Sequence, residues 1–226
     1  SWSRGLGDVY KRQGDTRDLV VVTGEEPNFH WKTFSRSIVE VLAEVGVEEV
    51  LLVGAFVGAV GHRDKVTLAG VGSDAVSVIR SGLQSTSYRG PTAIVGVVQG
   101  ACREAGIRSL AMWAPTPAYL AGNPYPKGVL ALVEKVADLT NLHIDTSELI
   151  AGDAEYTQKV DEAIENSGAE LEEYLEELDS YDEPLLGPLN GQREPIEDPQ
   201  IQRLDPDRTD ALVDEIVRFL EGDAKS

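Results

Sequence analysis

Two continuous apolar runs joined by one amphipathic helix constrain the fold of this chain more than any other feature. The runs cover residues 18–23 (DLVVVT) and 49–56 (EVLLVGAF), and such runs are typical of strands covered on both faces of a parallel sheet. The sequence between them predicts a helix over residues 30–45, ended by Gly46 as a C-terminal cap. Strand, helix and strand together predict a right-handed βαβ unit. The apolar residues of the helix form one stripe, which consists of Phe34, Ile38, Val41, Leu42 and Val45.

The same alternation continues to residue 141. Further strands are predicted over residues 66–68, 93–97 and 109–113, further helices over 73–81, 98–105 and 127–141, and a proline-rich loop over 115–126. Strands that alternate with helices through short turns favour an α/β fold, here a three-layer αβα sandwich with a mainly parallel sheet.

Charge is divided unevenly along the chain. The formal net charge is −19, yet residues 1–144 hold 14 acidic and 14 basic residues, so the whole excess lies in residues 145–226. Nucleic acids and anionic membrane surfaces both bind clustered Lys and Arg, and the sequence therefore argues against either as a partner. A solvated acidic face is the simplest interpretation, and a basic protein partner is the alternative.

No segment indicates export or insertion into a membrane. The longest apolar run, residues 50–60, is interrupted by Gly54 and Gly58 and is shorter than the roughly 20 residues that span a bilayer, and no secretory signal peptide is evident. The single cysteine, Cys102, excludes an intrachain disulfide and a zinc site built on cysteines. We expect it to pack as a small apolar residue, and we expect a cytoplasmic protein.

Four segments are predicted. Residues 1–17 lack any helical or strand period and are interpreted as a non-native leader. Residues 18–144 form the αβα core. Residues 145–181 form a small acidic helical subdomain with a hinge at Gly168, and residues 182–226 form an extended tail that ends in a terminal helix.

An ordered set of glycines, prolines and aromatic residues runs through residues 18–141. Its members are Gly24, Glu26-Pro27, Trp31, Tyr88, Gly90-Pro91-Thr92, Gly96, Cys102, Gly106, Trp113-Ala114, Pro117, Tyr119 and Pro126-Lys127. In this order and spacing the set resembles the proteasome assembly chaperone family, second-subunit type, in its bacterial branch.

The resemblance implies a sandwich related to the nucleoside-phosphorylase-like folds, followed by a small helical subdomain and a C-terminal tail. It also implies self-association and the binding and escort of other protein subunits. Family members have a further strand and helix before the position of Asp18, so part of the family domain is expected to be missing. Two departures concern histidines: the family's Pro-His-Thr-Arg-Pro is Gly61-His62-Arg63-Asp64-Lys65 here, and its histidine before Tyr119 is Ala118.

Polar and aromatic side chains follow the predicted strands at the edge of the sheet where open α/β folds bind ligands. The candidate rim consists of Glu26, His30, His62, Trp113, Pro117 and Tyr119. Convergence of Glu26, His30 and His62 would provide an acid and a base. A ligase- or hydrolase-like enzyme with a pocket near Glu26, His62 and Tyr119 is therefore one hypothesis. The simpler interpretation is that Glu26 caps the N-terminus of the helix that follows it and that Trp113 is a core or interface aromatic.

No motif assigns a catalytic residue, a metal or a cofactor. The glycine series over residues 54–61 lacks the Lys-Ser/Thr of a P-loop. His30, His62 and His143 are far apart in sequence and are not predicted to bind a metal. The preferred hypothesis is a non-enzymatic interaction or assembly protein whose partner is another protein or a second copy of itself. A truncated sequence without activity of its own is the third alternative.

Overall fold

Helices and strands alternate along the part of the chain that the computed structural model describes, which is residues 18–72, 78, 80–85, 93–167 and 185–186. The helices are α1 (Trp31–Glu44), α2 (Ile94–Glu104), α3 (Pro126–Thr140) and α4 (Ser147–Ser167), with a 3₁₀ turn at Ala118–Leu120. The strands are β1 (Glu49–Ala59), β2 (Ala69–Gly72), β3 (Gln84–Ser85), β4 (Arg108–Pro117) and β5 (Leu185–Leu186).

The strands form one sheet in the order β3-β2-β4-β1-β5. β1 and β4 run parallel, in a register that extends from Glu49 opposite Arg108 to Gly58 opposite Pro117. β2 and β3 are also parallel, whereas β2 pairs with β4, and β5 with β1, in the antiparallel sense. Parallel pairing is thus longest at the centre of the sheet, and the sheet as a whole is mixed rather than mainly parallel.

Consecutive side chains of β4 point to opposite faces of the sheet. On one face, a buried cluster that includes Met112 packs against residues of α3. On the other face, Trp113 and Phe56 share a cluster with a residue of α2, and α1 and α2 meet through Val39 and Cys102. Helices therefore contact both faces, and the predicted mixed α/β class is confirmed.

Helix α1 lies where the sequence predicts it, but its buried face is rotated from the predicted stripe. Ser35, Val39 and Leu42 are buried, because α1 packs against α2 as well as against the sheet. Three residues of the predicted stripe are instead exposed, namely Phe34 (37%), Val41 (55%) and Val45 (62%). We call these three residues the exposed α1 stripe.

The first predicted strand, residues 18–23, is not a regular strand of the sheet. Only Val22 forms a single bridge, and Val20, Val21 and Val22 are 42%, 49% and 55% exposed. Among the described residues, no regular strand pairs along this segment, and its three valines are exposed. As a result, the predicted βαβ unit is reduced to α1 and β1.

Helix α2 replaces the strand over 93–97 and the short helix over 98–105 that the sequence predicts. The β-branched residues at the start of this segment favour a strand. However, Ile94, Val98 and Cys102 recur at the spacing of a helix and pack in one cluster. The carboxylate of Glu26 accepts a hydrogen bond of 2.8 Å from the main-chain N–H of Ile94, which satisfies one of the free donors at the helix N-terminus.

Several boundaries also differ from the prediction. β2 lies at residues 69–72 rather than 66–68, and β4 continues to Pro117, through part of the predicted proline-rich loop. α3 is confirmed, and α4 confirms helix in the first part of the predicted acidic region. The leader, the hinge at Gly168, the terminal helix and most of the predicted helix over 73–81 lie outside the described residues.

Candidate functional site

The loops that follow β1 and β4 meet at one edge of the sheet, because adjacent parallel strands end on the same side. His62 follows β1, and Tyr119 lies in the 3₁₀ turn directly after β4. The Tyr119 hydroxyl accepts a hydrogen bond of 2.7 Å from the His62 main-chain N–H and lies 2.8 Å from His62 Nδ1. Both residues are buried, with Tyr119 fully so.

Helix α4 contributes a carboxylate to the same place. Asp161 Oδ1 lies 2.8 Å from His62 Nε2, and the Asp161 carboxylate also receives two contacts of 2.8 Å from the guanidinium of Arg63. The Arg63 hydrogen bond, followed by that of His62, holds the pKa of Asp161 below its usual value. The Lys127 ammonium, at the start of α3, donates to the His62 carbonyl at 2.6 Å.

Burial lowers the pKa of His62, although the hydrogen bond to Asp161 opposes that effect. A neutral imidazole with its proton on Nε2 fits the contacts, since Nε2–H then donates to Asp161 and Nδ1 accepts from the Tyr119 hydroxyl. The arrangement joins two strand-end loops, α3 and α4 at a single residue, His62, through both its side chain and its main chain. We call Tyr119, His62, Asp161, Arg63 and Lys127 the His62 network.

The structure brings together two of the six residues of the candidate rim, His62 and Tyr119. Glu26 is exposed and bonded to the start of α2. His30 is exposed and precedes α1 with a left-handed backbone, at φ 59°. Trp113 and Pro117 are buried residues of β4, and Trp113 belongs to the core cluster with Phe56. The capping role of Glu26 is therefore real, but it serves α2 and not the helix that follows it in sequence.

A small cleft lies beside the His62 network. Its lining includes Gly61, Asp64, Lys65 and Tyr125, and its volume is about 30 Å³. Pockets that bind small organic ligands usually have volumes of about 300–1,000 Å³. The cleft has room for water but not for a metabolite, and the geometry around His62 does not favour the small-molecule enzyme.

Comparison with known proteins identifies the family. Residues 3–164 match the model of the PAC2 family. The chain belongs to the PAC2 family. A PAC2 family protein from Streptomyces avermitilis has a solved structure that is 36% identical, with a TM-score of 0.66 over 74% of this chain and 70% of that one. No match was found among curated proteins.

Two further solved structures extend the comparison. A proteasome-assembly chaperone homologue from Mycobacterium tuberculosis is 34% identical to this PAC2 protein, with a TM-score of 0.66 over 73% of this chain and 70% of that one. PbaA of Pyrococcus furiosus, an archaeal homologue of proteasome-assembly chaperone, is 17% identical with a TM-score of 0.53, over 72% of this chain and 66% of that one. The second likeness concerns the fold alone. No helix in the described part of this PAC2 protein is long and apolar enough to cross a membrane.

Three residues of the network, Asp161, Arg63 and Lys127, are absent from the candidate rim. Asp161 was missed because it is one of many acidic residues beyond residue 144. Its position did carry a signal. Val160, Ala163 and Ile164 are buried in α4, so Asp161 borders the apolar face of that helix. Because the apolar face of such a helix packs against the core, an acidic residue at its border can contact a polar partner there.

We expect the stability of this PAC2 protein to fall as the pH drops below about 6.5. Because burial lowers the pKa of His62 from its usual 6.5, the unfolded chain binds this proton at a higher pH than the folded chain does. The contribution of His62 is therefore complete above that pH and declines as the pH falls towards the folded pKa. Asp161, whose pKa is also lowered, adds a second loss below about 3.8.

Urea unfolding at pH 8, 6.5 and 5.5 measures this dependence. The variant His62→Gln cannot titrate and should show a flatter profile between pH 8 and 5.5 than the wild type. His143→Gln is the matched control, because His143 is exposed, and it should keep the wild-type profile. Equal pH dependence in the wild type and in His62→Gln would contradict the assignment.

Proposed function

We propose that this PAC2 protein is a non-enzymatic, assembly-chaperone-like protein that binds other protein subunits. Membership of the PAC2 family supports this function. So does 34% identity to a protein described as a proteasome-assembly chaperone homologue. Proteasome subunits are accordingly the first candidate partners. The cytoplasmic location, the acidic helical subdomain and the relation to phosphorylase-like sandwiches belong to the same proposal.

The observation that carries the proposal is the exposed α1 stripe. Phe34, Val41 and Val45 are spaced by seven and four residues, and they therefore lie on one side of the helix. Single exposed apolar residues are common on protein surfaces, whereas several on one stripe are typical of an interaction surface. Apolar residues at this spacing are the contacts that a helix makes when it packs into a groove of a partner protein.

The His62 network is proposed to hold α4 on the core rather than to perform catalysis. Its tyrosine is fully buried and its histidine nearly so, which leaves little access for a substrate. Asp161 is the hydrogen-bond acceptor that α4 provides to both His62 and Arg63. This role accounts for the convergence of residues from such distant parts of the sequence beside a cleft of only about 30 Å³ in the described structure.

We expect the double variant Val41→Glu/Val45→Glu to weaken binding of proteasome subunits by at least about tenfold, since charges would enter the centre of an apolar contact. Both side chains are more than half exposed in the free protein, so its thermal midpoint should change little. The measurement is titration of purified subunits from the same organism by biolayer interferometry, together with native-gel assembly of the complex.

Ile150→Glu provides the control, because Ile150 is an apolar residue of α4 that is 53% exposed. It should bind as the wild type does. Undiminished binding by the α1 variant would exclude the stripe as the interface. If the wild type neither binds proteasome subunits nor changes their assembly, proteasome subunits are not its partners.

A further inference from the structure

Helix α4 docks on the core through a short buried stretch that has a carboxylate within it. Val160, Ala163 and Ile164 are buried. Asp161 lies among them in sequence, and its carboxylate is 2.8 Å from His62 Nε2. The core of the sheet is formed by other residues, in buried clusters that include residues of β4. Because parts of a protein with separate packing can open separately, α4 can leave its docked position while the sheet remains folded.

Charged and polar groups from each neighbouring element face the His62 ring. Tyr119, which follows β4, lies against Nδ1, and Asp161 of α4 lies against Nε2. Arg63, after β1, and Lys127, at the start of α3, are nearby cations that oppose a positive charge on His62. Burial of the ring has the largest effect and lowers the pKa of His62, although the Asp161 carboxylate raises it. The docked arrangement therefore favours the neutral imidazole.

Protonation of His62 disturbs the contact on its Nδ1 side. In the neutral ring Nδ1 accepts from the Tyr119 hydroxyl, which itself accepts from the His62 main-chain N–H. A proton on Nδ1 would make the hydroxyl face two donors from His62, and its own proton would have to turn away from the ring. The imidazolium would also be buried near two cations, Arg63 and Lys127. Movement of α4 away from the core uncovers Nε2, so that water can solvate the charge.

We propose that His62 is a pH-sensitive switch that controls the docking of α4. The neutral imidazole keeps the helix docked, and the imidazolium favours a state in which α4 is undocked and the sheet is folded. Undocking exposes the apolar residues Val160 and Ile164, together with the side of α3 on which α4 packs. The switch rests on the role proposed above for the His62 network, namely that it holds α4 on the core, and it is independent of the chaperone function.

The direction of the pH effect follows from proton linkage. Because the pKa of His62 is lowered in the docked state, the undocked state binds the proton at a higher pH. The contribution of His62 to docking is therefore complete above about pH 6.5 and is lost as the pH falls towards the docked pKa. Acid thus increases the population of the undocked state.

Hydrogen exchange measured by mass spectrometry on the full chain tests the switch. Labelling at pH 7.5, 6.5 and 5.5 is corrected for the intrinsic pH dependence of amide exchange. Peptides from the second half of α4 should exchange at least about threefold faster at pH 5.5 than at pH 7.5, whereas peptides from β1 and β4 should keep their rates. Equal acceleration of α4 and the sheet, or an unchanged rate in α4, would overturn the proposal.

His62→Gln identifies the titrating group, since glutamine keeps a donor and an acceptor but binds no proton in this range. Exchange in α4 of this variant should be equal at pH 7.5 and 5.5. His143→Gln is the matched control, because His143 is exposed, and it should keep the wild-type acceleration. An acceleration that persists in His62→Gln would overturn the assignment of the switch to His62.

An NMR titration of the wild type provides a test that needs no variant. The ring protons of His62 and the amide signals of α4 should change with one midpoint, which lies below pH 6.5. The amide signals of β1 and β4 should stay constant over the same range. Different midpoints for His62 and for α4 would show that the helix does not respond to this proton.

Asp161→Ala separates the switch from the structural role of the network. Its loss of the acceptor for His62 and Arg63 should accelerate exchange in α4 already at pH 7.5. If it does so while the wild type shows no pH dependence in α4, the network holds α4 but the switch is wrong. If α4 of Asp161→Ala exchanges as in the wild type at pH 7.5, both proposals for the network are wrong, and the chaperone function is still decided by the subunit titration.

Discussion

Replacing Tyr119 by phenylalanine should lower the free energy of unfolding by about 2–4 kcal/mol. The Tyr119 hydroxyl bonds both the main-chain N–H and the Nδ1 atom of His62. Removing it leaves a buried donor and a buried acceptor without this partner, and each such group costs about 1–3 kcal/mol. The ring itself is retained, so the loss measures the hydrogen bonds and not a cavity. Urea unfolding at pH 8 gives the value directly.

Tyr156→Phe is a matched control for this experiment. The Tyr156 hydroxyl is buried on α4 and makes no hydrogen bond with the described residues. Its removal should therefore change stability by less than about 0.5 kcal/mol or should stabilise the protein slightly. Equal effects of the two variants would mean that the hydroxyl of Tyr119 has no special role, and the His62 network would lose its support as a structural tie.

The ion pair in the network is expected to matter less than the tyrosine. Arg63 is 70% exposed in its side chain, and solvent screens pairs of this kind so that they contribute about 0–1 kcal/mol. The Asp161 contact with His62 is better protected, because His62 is buried. The buried residues Tyr119 and His62 therefore contribute most of the stability of the network, and the exposed Arg63 orients the Asp161 carboxylate.

The elements that the sequence predicted well are those in which one hydrophobic pattern, either a continuous apolar run or a helical repeat, extends over the whole element. β1 is a long apolar run interrupted only by glycines after Glu49, and α1 and α3 carry repeated apolar residues with clear glycine or proline signals at their ends. α2 was predicted partly as a strand, because local preference for β-branched residues was weighed without the tertiary contacts of Val98 and Cys102. The prediction of a strand over residues 18–23 also differs from the structure. The segment has the local preference for a strand, but among the described residues no strand pairs along it, and strand formation depends on such neighbours.

Two of the five residues of the His62 network belong to the candidate rim predicted from sequence, and the other three do not. His62 and Tyr119 follow parallel strands, and the rule that such strands end at one edge predicts their proximity. Asp161 lies 99 residues after His62, in a helix whose docking depends on tertiary packing. Glu26 was interpreted as the cap of the helix that follows it, whereas its carboxylate bonds the start of α2 through a contact across 68 residues that the sequence does not reveal.

Replacing Gly70 by alanine should destabilise the protein by about 1–3 kcal/mol through overpacking. Gly70 is a buried residue of β2 that faces Met112 on β4. A Cβ at this position would lie 2.5 Å from Leu83 Cδ1 and 2.8 Å from Leu83 Cβ. Because Leu83 Cβ, which is fixed to the main chain, is among the clashing atoms, rotation of the end of the side chain cannot relieve the clash. The neighbouring backbone must therefore shift. Chemical denaturation measures the loss.

Gly24→Ala is the control, because Gly24 is exposed and an added Cβ meets no atom within 4 Å. It should change stability by less than about 0.5 kcal/mol.

The decisive step is a double-mutant cycle with Leu83→Ala, which alone should cost about 2–5 kcal/mol by leaving a cavity in the cluster around Met112. In the double variant the methyl group added by Gly70→Ala occupies space that the leucine side chain vacates, so the combined loss should be at least about 1 kcal/mol smaller than the two single losses together. Strict additivity would show that the strain of Gly70→Ala arises elsewhere. A favourable coupling would place the strain of Gly70→Ala at the contact between β2 and Leu83, where removal of the leucine side chain makes room for the added methyl group.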